Sequence, residues 1–202
     1  NLEYFEAEGE AAFYGPKIDF MAEDAMGREH QLATIQLDFV QPERFGLTYI
    51  NEKGEKERPV MIHHATLGSI ERFMSVFIEH TAGWFPFWCA PEQVRILTIN
   101  DSVKDYVSKI EGILKSTVLD KPLKYNEIRY KLDDRNESLG KKIREATAMK
   151  IPCVLIVGPK DAEAEQVSVR LKDEEKKVAL SELADFLKNL KYQQARQELD
   201  QY

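Results

Sequence analysis

The residues after Pro91 alternate short apolar runs with helical patterns, and this alternation constrains the fold more than any other feature. Four runs have the composition or the alternation of strands: Val94–Ile99, Leu123–Tyr130, Ile151–Val157 and Gln166–Leu171. Three segments carry apolar residues at helical spacing: Val103–Leu114, Leu139–Met149 and Leu183–Leu190. Asp101-Ser102 and Ser181 are the predicted N-caps of the first and last helices. The order β-α-β-α-β-β-α predicts a compact α/β domain with a mostly parallel or mixed sheet.

The residues before Pro91 are rich in aromatic side chains, and their pattern predicts antiparallel strands followed by one helix. The predicted strands are Phe13–Met21, Gln31–Phe39, Phe45–Ile50 and Arg58–His63. A turn at Glu52–Glu55 is predicted to join the last two strands into an antiparallel hairpin. The apolar helix face is predicted from Leu67, Ile70, Phe73, Met74 and Phe77. Because a few strands and one helix leave a sheet edge and a sheet face uncovered, this half is predicted to be the C-terminal piece of a larger domain. We therefore predict two domains, residues 1–91 and 92–202.

The net charge of −7 hides an uneven distribution. Residues 1–91 hold 7 basic and 15 acidic side chains, a net of −8, whereas residues 92–202 hold 21 and 20, a net of +1. Residues 135–172 hold 8 basic and 5 acidic side chains, a net of +3. This region begins within the turn Asp134-Arg135-Asn136 and includes the basic start of the helix that follows it. The basic stretch is either a solvated helix face or a surface for RNA phosphates and base edges.

The sequence excludes membrane proteins and disulfide scaffolds. No apolar run reaches the ~18 residues that cross a bilayer, and the acidic N-terminal residues are unlike a signal peptide, so no membrane partner is expected. Cys89 and Cys153 lie 64 residues apart without a Cys-x-x-Cys spacing. This usage favours a reducing compartment, and a cytoplasmic location is expected.

Two strand segments of the first half are candidates for chemistry, and each has a structural alternative. Tyr14-Gly15-Pro16-Lys17 is either an ordinary start of a strand or a turn that aims a hydroxyl and an ammonium group at an anionic substrate. Strict alternation places Gln31 on one face of the next strand and Thr34 and Gln36 on the other. These polar side chains either face solvent or form the floor of a pocket.

The pair His63-His64 lies where a predicted strand meets the predicted helix, and it is either structural or metal-binding. A catalytic zinc site usually takes three protein ligands. The other candidate ligands have no suitable spacing to the pair: His30, His80, Cys89 and Cys153. These residues alone therefore predict no convincing zinc site. At the start of the helix, Gly68 and Arg72 either belong to a solvated face or receive a phosphate.

Taken in order, these segments resemble the bacterial-type threonyl-tRNA synthetases. The resemblance to the C-terminal part of their catalytic domain lies in AAFYGPKIDF, HQLATIQLDF, RPVMIHHATLGSIERF and GWFPFWCAPEQV, and includes motif 3 of class II synthetases. The resemblance to the anticodon-binding domain of the threonyl, prolyl, histidyl and glycyl enzymes lies in DDRNESLGKKIREA and IPCVLIVGPKDAEAEQVSVR. It extends over about residues 5–190. It implies part of the class II antiparallel sheet with the motif 3 helix, followed by an α/β anticodon-binding domain.

The resemblance also implies roles for individual residues. Lys17 and Arg72 match catalytic positions. The positions that bind ATP or the adenylate are matched by Gln31, Thr34, Gln36 and Arg72. The positions that bind threonine are matched by Tyr14, Gln36, His63 and Ala65, and His63 also matches the family's third zinc ligand. The positions near the anticodon bases are matched by Asn136, Arg144, Lys150, Asp161 and Arg170, with Lys150 standing in place of an arginine.

For the full-length enzyme, the resemblance implies activation of L-threonine with ATP, Mg2+ and Zn2+, transfer to threonine tRNA, and a homodimer. It also implies that motifs 1 and 2, two zinc ligands and the editing domain belong upstream of Asn1. An incomplete zinc site and an inactive isolated chain are therefore expected. The alternative is a non-catalytic RNA-binding module that reuses the anticodon-binding domain. The joint presence of Tyr14, Lys17, Gln36, His63 and Arg72 favours the enzyme, because a binding module has no need of them.

Overall fold

The computed structural model describes residues 4–24, 26–117 and 127–190. The chain divides into two compact units, Asn1–Ala82 and Gly83–Tyr202. The segment 83–91 thus groups with the second unit, to whose core Phe87 belongs. The functional boundary at Pro91 stays a prediction.

The first unit is built on a three-stranded antiparallel sheet in the order β1-β2-β5. Its strands are β1 (Lys17–Glu23), β2 (Glu29–Asp38) and β5 (Met61–Ala65). The other elements are α1 (Val40–Arg44), the two-stranded ribbon of β3 (Tyr49–Ile50) and β4 (Lys56–Glu57), and α2 (Ile70–His80). Ser69 caps α2, since its side chain accepts a hydrogen bond from the Arg72 backbone N–H.

Three predictions about this unit are corrected. The predicted strand Phe45–Ile50 is wrong over its first residues, because Phe45 is the C-cap of α1 and only Tyr49–Ile50 form a strand. A hairpin does form at the predicted turn, but its second strand is β4 rather than Arg58–His63, and the Asn51 side chain accepts two backbone hydrogen bonds inside the turn. The predicted strand Arg58–His63 begins only at Met61 and pairs with β2 instead.

The second unit holds a five-stranded mixed sheet in the order β10-β9-β8-β6-β7. Its strands are β6 (Val94–Thr98), β7 (Tyr130–Asp133), β8 (Cys153–Val157), β9 (Gln166–Arg170) and β10 (Glu175–Ala179). Strands β7 and β8 pair with β6 in parallel, and β9 and β10 complete the sheet as antiparallel strands. The helices are α3 (Lys104–Ser116), α4 (Leu139–Ala148), α5 (Pro159–Glu163) and α6 (residues 183–190).

Each face of this sheet has its own apolar cluster. Ile96, Leu155 and Val169 pack with residues of α3 and α6 on one face. On the other face, Leu97 and Val154 pack with Ala146 of α4. The alternation of strand side chains explains this division, because neighbouring residues of a strand point to opposite faces. The mixed α/β fold expected from the sequence is confirmed.

Several local predictions for the second unit are corrected. Asn100 caps the first helical segment, which begins as a 3-10 turn at Asp101–Val103, so Ser102 is not the N-cap. Ser181 lies inside a second 3-10 turn and caps nothing. The strand predicted over Leu123–Tyr130 begins at Tyr130; its residues 123–126 lie outside the described part of the chain, as does the polar tail from Lys191. Strand β10 and helix α5 were missed, β10 because its residues are mostly polar.

A helix that crosses a bilayer is long and apolar. Within residues 4–24, 26–117 and 127–190, none of the helices meets that description.

Candidate functional site

One face of the first unit's sheet carries polar side chains in cross-strand rows. Lys17, Gln36 and His63 are direct neighbours across β1, β2 and β5, and Asp19, Thr34 and Ala65 form the next row. Directly opposed residues of antiparallel strands point to the same face. The antiparallel register therefore brings these six residues together. All of them except Asp19 are candidate site residues from the sequence.

A bulge adds Gln31 to this face. The β1–β2 register pairs Phe20 with Ala33 but Met21 with Gln31, so Leu32 is an extra residue in β2. The Gln31 amide group donates a hydrogen bond to Asp19 Oδ1 at 2.8 Å. The prediction that Gln31 faces away from Thr34 and Gln36 is therefore wrong, because strict alternation does not hold across a bulge.

Tyr14 reaches the same face from the segment before β1. Its hydroxyl group donates to Gln36 Oε1, and its ring centroid lies 5.8 Å from that of His63. Gly15 makes this approach possible: a Cβ atom at Gly15 would lie only 2.3 Å from the carbonyl oxygen of Leu37. Tyr14, Gln36 and His63 thus form a connected group.

Asp38 was not predicted, and it holds His63. Asp38 is fully buried, accepts hydrogen bonds from the backbone N–H groups of Val40 and Gln41, and lies 2.9 Å from Nε2 of His63. Burial acts to raise the pKa of Asp38, but these hydrogen bonds outweigh it and lower the pKa. Because a carboxylate only accepts, Nε2 of His63 carries the hydrogen and Nδ1 is left for another partner. The alternation of Thr34, Gln36 and Asp38 along β2 could have revealed this residue.

Lys17 is paired within the site. Its ammonium group donates to Asp19 Oδ2 at 2.6 Å. This hydrogen bond is the main cause that raises the pKa of Lys17, so its positive charge is secured. Burial acts to raise the pKa of Asp19, but the hydrogen bond from Lys17, together with the one from Gln31, lowers it overall. An anion that approaches Lys17 therefore meets a lysine already shared with a carboxylate.

Arg72 lies at the margin of this face. It is exposed in the first turn of α2, and its Nη1 atom lies 3.4 Å from the carbonyl oxygen of Gln31. Gly68, just before α2, has φ +60°, and a Cβ atom there would lie 3.2 Å from the Leu32 carbonyl oxygen. Because Gly68 has no Cβ atom, its backbone can pack closely against the backbone of β2.

The residues present do not fit a complete zinc site. His63 offers one ring nitrogen, whereas a catalytic zinc ion needs about three protein ligands. Within the described ranges, the His, Cys, Asp and Glu side chains form no group of three or more that could hold a metal ion. No step through zinc is therefore assigned to this chain.

In the second unit, several of the predicted RNA-contacting residues share one face of the sheet. Ser168 and Arg170 of β9 pair with Ile156 and Val154, which face α4. Asp161 joins them, since its Oδ1 accepts a hydrogen bond from the Ser168 hydroxyl group at 3.1 Å. Asp161 is buried and its other oxygen accepts from the Gly158 N–H, so it also fixes the start of α5.

The remaining predicted RNA contacts lie along α4. Asn136 is exposed in the loop before it, Arg144 is exposed on it, and Lys150 is exposed just after it. At ~1.5 Å rise per residue, α4 separates its two ends by about 15 Å. Asn136, Arg144 and Lys150 are therefore spread along the length of α4.

Two basic residues of the same region have structural partners that the sequence did not indicate. Lys142 is 1% exposed and donates to the carbonyl oxygens of Thr98 and Asp133, at the ends of two parallel strands. Arg135 pairs with Asp133 and Glu145. Some of the basic residues at the start of α4 and just before it therefore stabilise the fold.

Comparison with known proteins covers both units. Residues 3–81 match the model for the tRNA synthetase class II core domain (G, H, P, S and T), and residues 93–190 match the anticodon binding domain. The chain is 50% identical over 192 residues to a threonine–tRNA ligase of Clostridium tetani, covering 95% of this chain and 28% of that protein. It is 50% identical over 169 residues to the enzyme of Chlorobium limicola, covering 84% of this chain and 24% of that protein. The chain spans about a quarter of the length of these relatives.

Solved structures agree with the sequence matches. The RNA binding domain of threonyl-tRNA synthetase from Cryptosporidium parvum has a TM-score of 0.77 at 35% identity, covering 90% of this chain and 44% of that one. Prolyl-tRNA synthetase from the same organism, solved with L-proline and AMP, has a TM-score of 0.66 at 26% identity, covering 96% and 44%.

Proposed function

The chain belongs to the threonyl-tRNA synthetase family of class II aminoacyl-tRNA synthetases, and on that premise we propose that it supplies one wall of the threonine-activating site and the anticodon-binding domain of a threonine–tRNA ligase. Residues 1–91 carry the first role and residues 92–202 the second. The observation that carries the proposal is the polar face of the first unit, where Tyr14, Lys17, Gln36 and His63 meet across three strands.

The reaction has two steps. The carboxylate of L-threonine attacks the α-phosphate of ATP, which forms threonyl-adenylate and releases pyrophosphate. A ribose hydroxyl group at the 3′ end of threonine tRNA then attacks the threonyl carbonyl group and releases AMP. Both steps depend on positioning and on stabilising developing charge.

The residues of the polar face divide this work. Lys17 keeps its charge through Asp19 and stabilises the α-phosphate, and Arg72 at the margin holds ATP. The adenylate is bound by Gln31, Thr34 and Gln36, and threonine by Tyr14, Gln36, His63 and Ala65. Asp38 orients His63. Mg2+ accompanies ATP, and His63 would supply one ligand of a zinc site whose other ligands lie outside this chain.

The second unit recognises the anticodon. Unpaired loop bases expose their edges for hydrogen bonds, and an anticodon loop presents such bases. Arg144 and Lys150, along α4, and Arg170, on β9, supply charge, with Asn136 and Asp161 as polar contacts. A homodimeric full-length enzyme in the cytoplasm is part of the same proposal.

The alternative is a non-catalytic RNA-binding module, and a chimaera separates the two. In the Clostridium tetani ligase, the matching C-terminal segment is replaced by this chain, and threonylation of tRNA is measured. An active chimaera whose Lys17→Ala form loses threonine-dependent pyrophosphate exchange supports the ligase. A well-folded chimaera that binds threonine tRNA but does not activate threonine supports the binding module.

A further inference from the structure

A tryptophan and two lysines from three separate segments meet in the second unit. The Nζ atom of Lys150 lies 5.4 Å from the centroid of the Trp84 ring, and that of Lys172 lies 5.9 Å from it. Trp84 precedes β6, Lys150 follows α4 and Lys172 follows β9. Both lysines are exposed and Trp84 is partly exposed. These three residues form the Trp84 cluster.

Among the described residues, no carboxylate is paired with a lysine of the Trp84 cluster. Basic side chains in the neighbouring segments are held in ion pairs: Arg135, Lys141, Arg170 and Lys176. In the part of the chain that the structure describes, neither Lys150 nor Lys172 forms such a pair. An aromatic ring attracts an ammonium group through its quadrupole but leaves the charge in place. The Trp84 cluster therefore presents two positive charges beside one ring.

The backbone around Lys150 directs its side chain to this place. Lys150 has φ +58°, a left-handed conformation that side chains other than Gly, Asn and Asp seldom adopt. A Cβ atom added to Gly83 would lie 3.8 Å from Cγ and 3.9 Å from Cδ and Cε of Lys150. The lysine side chain thus runs along the backbone that carries Trp84. The left-handed turn that ends α4 thus sets where the Lys150 side chain begins.

The Trp84 cluster borders the candidate RNA surface. Lys172 comes two residues after Arg170, and Lys150 directly follows the turn that ends α4. Arg170 and α4 share one face of the sheet. The Trp84 cluster extends that face at the end where β8 begins.

We propose that the Trp84 cluster is a platform for one unpaired nucleotide of the bound tRNA, with the base stacked on Trp84 and the adjoining phosphates held by Lys150 and Lys172. Proteins bind single-stranded nucleic acid with this combination of an aromatic ring and basic side chains. Lysine side chains are long enough to turn from the ring to a phosphate when the base takes the ring face. The proposal rests on the tRNA-binding function proposed above and adds Trp84 and a mode of contact to it.

Trp84 and Trp88 are the two tryptophans of the chain, which makes fluorescence a direct test. Trp88 is 49% exposed, and its ring is no part of the Trp84 cluster. The full chain carrying Trp88→Phe has Trp84 as its one reporter, and the matched Trp84→Phe form has Trp88. Titration with threonine tRNA should quench the first protein by stacking and leave the second nearly unchanged. Because Trp84 stays intact in the first protein, the readout does not depend on a risky substitution.

Affinity provides the second readout. Trp84→Ala should weaken tRNA binding about tenfold through lost stacking, while Trp88→Ala should bind like the unsubstituted chain. Lys150→Met and Lys172→Met should each lower the slope of log K against log salt by roughly one.

The outcomes separate this proposal from the proposed function. If the chain prefers threonine tRNA over the same tRNA with a swapped anticodon, but Trp84 fluorescence and Trp84→Ala affinity do not change, the platform is wrong and the function stands. Quenching without any loss of affinity in Trp84→Ala also overturns the platform, since the ring then senses a neighbouring event only. Equal binding of both tRNAs by the unsubstituted chain overturns both.

Discussion

The two units differ in how far their apolar side chains are buried. Within the described residues, every buried hydrophobic side chain lies between Phe87 and Leu190, that is, in the second unit. The buried side chains of the first unit's described residues are Asp38 and Pro42. Meanwhile Ile18, Ile62 and Ile70 of the first unit are 62%, 64% and 71% exposed.

The first unit carries the polar residues of the candidate site, whereas the second unit carries a buried apolar core that stabilises its fold. The polar face of the first unit is held by hydrogen bonds among its own residues, such as Tyr14 to Gln36 and His63 to Asp38. Its opposite face, with Ile18 and Ile62, leaves apolar area in water that burial would turn into stability at about 25 cal/mol per Å². The second unit buries its own core and can be stable by itself. The first unit is therefore expected to depend on further protein surface.

The largest effect is expected when the two units are produced separately and their unfolding is compared. Residues 83–202 alone should unfold cooperatively, whereas residues 1–82 alone should show no cooperative transition, because that unit has almost no buried core. Residues 92–202 should be less stable than 83–202 by about 3–5 kcal/mol, since they lack the buried side chain of Phe87. Circular dichroism during urea titration measures all three. A cooperative transition in 1–82 would contradict the comparison.

Matched truncations in two strands test the same contrast inside the intact chain. Leu155→Ala in β8 removes a fully buried side chain and should lower the free energy of unfolding by about 2–5 kcal/mol. Ile62→Ala in β5 removes an exposed one and should change it by roughly 0.5 kcal/mol or less. Urea unfolding of both variants decides this, and equal losses would show that the first unit has a comparable core.

Two arginines test the division of function. In the chimaeric ligase, Arg72→Ala should slow threonine-dependent pyrophosphate exchange by about 100-fold, as expected for the loss of one charge contact to the reacting phosphates. Arg170→Ala should leave that exchange unchanged, because it requires no tRNA, and should reduce the preference for the threonine anticodon. Unchanged exchange in the Arg72→Ala form would remove Arg72 from the site.

The smallest expected effect is on the pH at which the second unit unfolds in acid. The hydrogen bond from Arg135 is the main cause that lowers the pKa of Asp133 below its ordinary 3.8. A carboxyl group whose native pKa is depressed contributes stability above its unfolded pKa and loses it as the pH falls through the native value. Arg135→Gln should therefore move the acid-unfolding midpoint of residues 83–202 to slightly higher pH. Because Arg135 is half exposed, the shift should shrink in high salt. Arg144→Gln is the control, with no expected shift.

Local pattern was enough for most elements of the second unit and for the composition of the candidate site. The apolar run Ile151–Val157 predicted β8, and the helix predicted over Leu139–Met149 agrees with α4 almost to its ends. The sequence also identifies Tyr14, Lys17, Gln36 and His63 as candidate site residues. Strand β10 was not predicted, because Lys176 and Lys177 interrupt the apolar pattern that identifies a strand. It forms because its backbone pairs with β9.

The sequence by itself determined most of the strands and helices and most of the candidate polar side chains, because periodicity and turn residues act within a few positions of the chain. The tertiary structure alone decided that a bulge at Leu32 turns Gln31 toward Asp19. It also decided that Lys142 lies buried against the ends of two strands and that Lys150 meets Trp84. Such contacts join residues distant in the sequence, and the free energy of burying or pairing a charge depends on those neighbours rather than on the residue itself.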